Sequence, residues 1–215
     1  MRNQFLVGAE VVRSAVADRR VAEAWDEPSN LAGQTIGSLA SHLARGAVWV
    51  VLDYLDAQPG PGVDFETAAE YFAEVTQGLT EDDHAAIRGR GATVAEAGPA
   101  QVARRLADSV EQLRARLPGE PDDRRVAVYA GKVMRLDDYL LTRIVEQVVH
   151  LDDLARSLDI EPWANPPDAA ALVVSCGAEI GRQLRGDSAM IRALFREGAG
   201  DVLPVLAARR ADSGP

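Results

Sequence analysis

Leu140-Leu141-Thr142-Arg143-Ile144-Val145-Glu146-Gln147-Val148-Val149-His150-Leu151-Asp152-Asp153-Leu154-Ala155-Arg156-Ser157-Leu158 is the stretch whose reading decides the fold. It holds no glycine or proline, and Leu140, Ile144, Val148, Leu151, Ala155 and Leu158 recur at steps of three and four. That period predicts one long amphipathic helix, begun near Asp137 as its N-cap. Glu146 and His150 are four residues apart and fall on one stripe, at the edge of the apolar arc. By itself the pair reads first as a surface Glu–His pair and second as a two-point metal chelate opening on a groove.

A second imidazole is needed to decide between these, and another helix offers one. Thr35 is a fit N-cap for a helix from Ile36 to about Ala57, closed by Gln58-Pro59-Gly60-Pro61-Gly62. His42 lies on it, with Ser38 one turn before and Trp49 two turns after as candidates to line a pocket. A lone histidine on an apolar helix also serves as a core residue bonded to a carbonyl. His84, beside Asp82 and Asp83, reads as solvated.

Two further helices complete a bundle. Phe5, Val11, Val12, Val16, Val21 and Trp25 predict one over 5–25, and Val102, Leu106, Val110, Leu113 and Leu117 one over 100–117. Between the second and third main helices, 65–79 reads as a short helix and Glu81 as the start of another. Gly89, Gly91 and Gly98-Pro99 predict irregular chain there. Residues 124–134 are the one β-like stretch, an extended pair around Gly131. Beyond the proline-rich run to Pro167, helices are expected over 168–184 and 188–196, then a glycine-interrupted tail. The fold class is therefore all-α: a four-helix bundle over residues 1–163, with additional C-terminal helices in 164–215 packed on it.

Composition excludes several functions. A net charge of −10 over 215 residues repels phosphates and argues against nucleic acid as a partner. No run approaches the roughly 18 apolar residues of a membrane span, and the N-terminus is too quickly charged for a signal peptide. The single cysteine, Cys176, forms no internal disulfide and suits a reducing cytoplasm. Set among Val173, Val174 and Ile180, it reads as core. No Ser–His–Asp set, phosphate loop or dinucleotide fingerprint is present. Facing helices of a bundle can supply what one segment cannot: His42, Glu146 and His150 would make a two-histidine, one-carboxylate set with open positions, the arrangement of catalytic metal.

Three segments resemble one family. They are Trp25-x-x-Pro28-Ser29, Gly33-x-Thr35-Ile36-Gly37-Ser38-Leu39-Ala40-Ser41-His42-Leu43-Ala44-Arg45, and Thr142-Arg143-Ile144-Val145-Glu146-x-Val148-Val149-His150-x-x-Asp153-Leu154-Ala155. Together they resemble the mycothiol-dependent maleylpyruvate isomerase family of the DinB/YfiT-like metal-binding bundles. The resemblance implies a DinB-like helix order with a crossover. It implies His42, Glu146 and His150 as ligands of a divalent metal, zinc by preference, with nickel or another ion as the alternative. It also matches Asp153 to a recurrent family aspartate, which either orients a ligand or braces the helix.

Mycothiol is then the implied cosubstrate and a small electrophile its partner, with metal-bound water or thiolate as the reactive group. About 50 residues follow Trp163 and read as helices, where the founding isomerase has an α/β domain. The expected activity is accordingly S-transfer or an isomerase-like reaction rather than maleylpyruvate isomerisation itself. A non-catalytic metal-binding module with a stress-response or partner-binding role is the alternative, and a homodimer stays open.

Overall fold

A computed structural model describes residues 1–78 and 80–196, apart from the side chains of Thr76, His84 and Pro167. The solvated reading of His84 and the tail beyond 196 thus lie outside the described residues.

Helix α1 (Arg2–Val16) buries Phe5, Ala9, Val12, Ala15 and Val16 along one face. The helix expected to run on to 25 stops here, because the Asp18 carboxylate accepts from the Arg20 amide and caps a separate short α2 (Arg19–Glu23). An aspartate at this position serves the next helix better than it serves the interior of the last. Trp25 follows, 8% exposed, its indole N–H donating to the Ala95 carbonyl.

Helix α3 (Ile36–Ala44) begins at Thr35, whose hydroxyl accepts from the Ser38 amide at 3.1 Å as expected. The expected single helix over 36–57 contains a π-helical turn (Arg45–Trp49) before α4 (Val50–Asp56). Two carbonyls of that turn are used by side chains of the central helix. Gly46 accepts from Arg143 Nη1 at 2.7 Å and Ala47 from Gln147 Nε2 at 3.3 Å. π-turns of this kind recur at functional sites.

Helix α5 (Ala68–Gly78) is followed by α6 (Glu81–Ala95), started by a reciprocal Thr80–Asp83 capping box. α6 runs straight through Gly89 and Gly91, so the expected irregular chain there is wrong. Gly91 marks a close approach instead: a Cβ on it would stand 2.9 Å from the Ser38 carbonyl oxygen and 3.3 Å from His42 Cβ. Helix α7 (Pro99–Arg116) carries proline at its first position and buries Val102, Leu106, Val110 and Leu113. Strands β1 (Arg125–Ala127) and β2 (Val133–Arg135) pair antiparallel around Gly131, where φ is +75°. They deliver the chain into α8 (Leu136–Ser157). Its N-cap is Arg135, not Asp137; Asp137 sits in the first turn, accepting from Arg2 Nε at 3.1 Å.

The four main helices share one core. α1 lies against α7 and α8, and α3 with its π-turn against α1, α7 and α8. Phe5, Leu39, Leu43, Leu106, Leu113, Leu140, Ile144 and Leu154 are fully buried between them, each worth roughly 1.5–3 kcal/mol of apolar burial. α6 covers α3. α9 (Pro167–Arg185) packs on α5 and α8 through Ala169, Cys176 and Ile180, and α10 (Asp187–Phe195) on α9. The protein is all-α, with one two-stranded sheet among the described residues.

Candidate metal centre

His42 comes from α3, and Glu146 and His150 from α8, at the crossing that Gly91 lets α6 cover. Glu146 Oε2 stands 3.6 Å from His42 Nε2 and 3.2 Å from His150 Nε2. The two imidazoles meet edge to face, 5.0 Å between ring centroids. One donor atom from each residue lies within 4.8 Å of the others, and among the described residues this is the one such cluster. Ligands about 2.0–2.2 Å from a tetrahedral zinc ion stand roughly 3.3–3.6 Å apart, so the donor types and the two spacings about Glu146 suit a divalent cation. Each side chain is about one-fifth exposed, which leaves a side of the cluster open to a further ligand.

The electrostatics point the same way. Burial alone would raise the Glu146 carboxyl, but hydrogen bonds from His150 and His42, with the Arg143 charge, hold it well below the usual carboxylate range. Burial would lower His150; the Asp153 and Glu146 carboxylates outweigh it and bring the imidazole up to about 9. Without a cation the cluster thus holds a proton between His150 and Glu146, and a metal ion would take that proton's place.

Asp153 Oδ2 lies 3.0 Å from His150 Nδ1. With Nδ1–H donating to Asp153, departure of the shared proton would leave the Nε2 lone pair facing Glu146 and His42. Asp153 is itself held: its Oδ1 accepts from Asn30 Nδ2, and the single Ser157 hydroxyl lies 2.9 Å from Asn30 Oδ1 and 2.7 Å from the Asp153 carbonyl oxygen, within reach of either acceptor. Sequence reasoning passed over Asn30 and Ser157, although Asn30 directly follows the Trp25-x-x-Pro28-Ser29 segment and Ser157 lies one turn beyond Asp153. It also gave no role to Arg143, which lies on the stripe of Glu146 and His150.

Ser38 and Trp49 are placed apart. Ser38 is 4% exposed and helps line a cavity of about 410 Å³ between α3 and α6, with Trp25, Thr35, Arg88 and Glu96 on other walls. Trp49 is 3% exposed and lies under the Arg105 guanidinium, 4.3 Å from its ring centroid; it does not line that cavity. Cys176 is buried, and burial pushes its thiol up to about 11, with Glu179 adding to the shift.

A helical bundle with a two-histidine, one-glutamate cluster where its second and last main helices cross is the DinB-like class. The family model described as the mycothiol maleylpyruvate isomerase N-terminal domain matches residues 7–155, and the chain belongs to that family. No curated protein and no solved structure matches it significantly. No helix among the described residues is long and apolar enough to cross a membrane.

Proposed function

We propose that this protein is a divalent-metal-dependent enzyme of thiol chemistry, an S-transferase or isomerase-like catalyst that uses mycothiol against a small electrophile. The observation that carries the reading is the convergence of His42, Glu146 and His150 on one open-sided point. These three residues would hold the ion, zinc by its preference for nitrogen and oxygen donors in this number. A cation held there supplies Lewis acidity that lowers the pKa of an incoming thiol, so that it attacks as thiolate at neutral pH.

The chain's own groups support that role. Asp153 fixes the His150 ring. Two neutral imidazoles and one carboxylate leave about one net positive charge for an anionic sulfur. The chain's sole thiol, Cys176, is buried with its pKa raised, so the nucleophile comes from solution. Mycothiol in particular rests on family membership, and the acidic chain suits a small partner rather than a polyanion.

The assay gives the metal-loaded protein mycothiol, glutathione or bacillithiol with a bimane electrophile, and repeats it with Glu146→Gln and His150→Ala. Turnover with mycothiol that falls at least about a hundredfold in both variants is expected. Equal rates in wild type and variants would reject the enzyme and favour a non-catalytic metal-binding module. Residue-dependent turnover with another thiol would keep the chemistry and replace mycothiol.

A further inference from the structure

A histidine that holds a metal ion is usually aimed by a hydrogen bond at its other ring nitrogen, and the two histidines of the cluster differ in this. His150 Nδ1 lies 3.0 Å from Asp153 Oδ2. His42 Nδ1 has no protein partner among the described residues. The one polar partner of the His42 ring there is Glu146 Oε2, 3.6 Å from Nε2.

What bounds the His42 side chain is backbone. A Cβ on Gly46 would stand 3.4 Å from His42 Cε1 and 3.7 Å from each ring nitrogen, and one on Gly91 would stand 3.3 Å from His42 Cβ. The imidazole therefore lies beside the bare Cα of Gly46 with no side chain between them. Where Gly46 sits decides where the ring can turn.

Gly46 belongs to the π-turn, and its carbonyl is held from the facing helix. The Val50 amide donates to the Arg45 carbonyl, five residues back, and passes over that of Gly46. The Gly46 carbonyl accepts from Arg143 Nη1 at 2.7 Å. The guanidinium is fixed in turn. Its Nε donates to Thr142 Oγ1 at 3.0 Å, and that hydroxyl donates to the Tyr139 carbonyl at 2.6 Å. The Tyr139 ring centroid lies 4.9 Å from the guanidinium carbon. Arg143 is 8% exposed, and the nearby Glu146 charge offsets part of the cost of burying it. A planar fork that grips two oxygens at once holds them more rigidly than a single flexible donor.

We propose that Arg143 is a positioning residue for His42. By pinning the Gly46 carbonyl it fixes the backbone beside which the imidazole rests, so that α8 supplies two ligands directly and orients the third across the helix crossing. The inference rests on His42, Glu146 and His150 holding a cation, and it is independent of the thiol chemistry.

The test is cobalt binding to the full-length protein, followed by absorption, in wild type, Arg143→Met, Arg143→Lys, His42→Ala and the double variant Arg143→Met/His42→Ala. Arg143→Met removes every donor and should weaken binding about tenfold or more. Arg143→Lys keeps the charge beside Glu146 but loses the fork, and should weaken it roughly three- to fivefold. Once His42 is alanine, the loss from Arg143→Met should shrink to less than about twofold, because the clamp has no ring left to place. A loss of equal size in both backgrounds would overturn the role and leave Arg143 acting through Glu146 or the fold.

A second readout needs no metal. The nuclear Overhauser contact between His42 Hε1 and the Gly46 α-hydrogens should be present in wild type and weakened in Arg143→Lys, which serves if Arg143→Met does not fold. A contact of unchanged strength in the Arg143 variants would overturn the positioning role. So would His42-dependent cobalt binding that both Arg143 variants leave intact, and the metal centre would then stand without the clamp. Equal binding by wild type and His42→Ala would remove His42 from the ligand set and this inference with it.

Discussion

Asp153 decides which nitrogen of His150 can bind a cation, and it does so from a position locked by Asn30 and Ser157. Replacing it with alanine leaves the three donor atoms in place but frees the ring and its tautomer. The expected result is a 10- to 100-fold loss of metal affinity, read by competition with a chromophoric chelator; an unchanged affinity would make Asp153 a brace only. The proton shared by the empty cluster gives a second test, because His150 and Glu146 move in opposite directions. His150, raised to about 9 from about 6.5 in the unfolded chain, contributes stability fully present below pH 6.5 and lost as pH rises through 9. Glu146, held low, contributes stability present above about pH 4.5 and lost as pH falls through its folded value. Metal-free protein should therefore lose on the order of 2 kcal/mol between pH 6.5 and 9.5, measured as a shift in urea midpoint. Metal affinity should climb over the same interval as the competing proton leaves. A midpoint that is flat with pH in wild type and in His150→Ala alike would show that the imidazole carries no such charge.

At the scale of the helix, two glycines of α6 look alike in sequence and differ in consequence. At Gly89 an added Cβ meets nothing within 4 Å, whereas at Gly91 it meets the Ser38 carbonyl at 2.9 Å and the base of His42. Gly89→Ala should stabilise by about 0.5–1 kcal/mol, the ordinary gain of alanine over glycine in a helix. Gly91→Ala should destabilise by roughly 1–3 kcal/mol through overpacking against backbone and should weaken metal binding by shifting α3. Denaturation of the two variants side by side checks both signs at once. The pair also shows where sequence reading fails. A glycine inside a helix has a local reading, a break, and a tertiary one, room for a neighbour; only the packing of α6 on α3 chooses. The π-turn was hidden for the same reason, since Arg45–Trp49 has the composition of ordinary helix and its distinguishing feature is what its carbonyls meet on α8. Periodicity located α1, α3, α7 and α8, because each buries an apolar stripe, but it ran α1 past its end at Val16 and α3 past its end at Ala44. Glu146 and His150 were legible as a stacked pair from spacing alone. His42 joined them only through the expectation that facing helices of a bundle share a site, and Arg143 escaped because its charge acts on Glu146 through the packing.

For the whole molecule, the cluster ties α3 to α8, two elements about a hundred residues apart in the chain. A ligand that binds only the folded arrangement stabilises it by mass action, by about 4 kcal/mol when free ion is a thousandfold above the dissociation constant. In a domain of this size each kcal/mol corresponds to about 2–4 °C, so saturating metal should raise the melting temperature by roughly 8–16 °C over chelator-treated protein. Glu146→Gln separates this from general ion effects. It keeps the volume of the side chain, removes the charge that joins both imidazoles, and should lose nearly all of the metal-induced rise while the metal-free protein still melts cooperatively. Calorimetry of both proteins with and without added zinc makes the comparison. A rise of equal size in the variant would place the bound ion elsewhere on this acidic surface and would detach the helix crossing from the proposed chemistry.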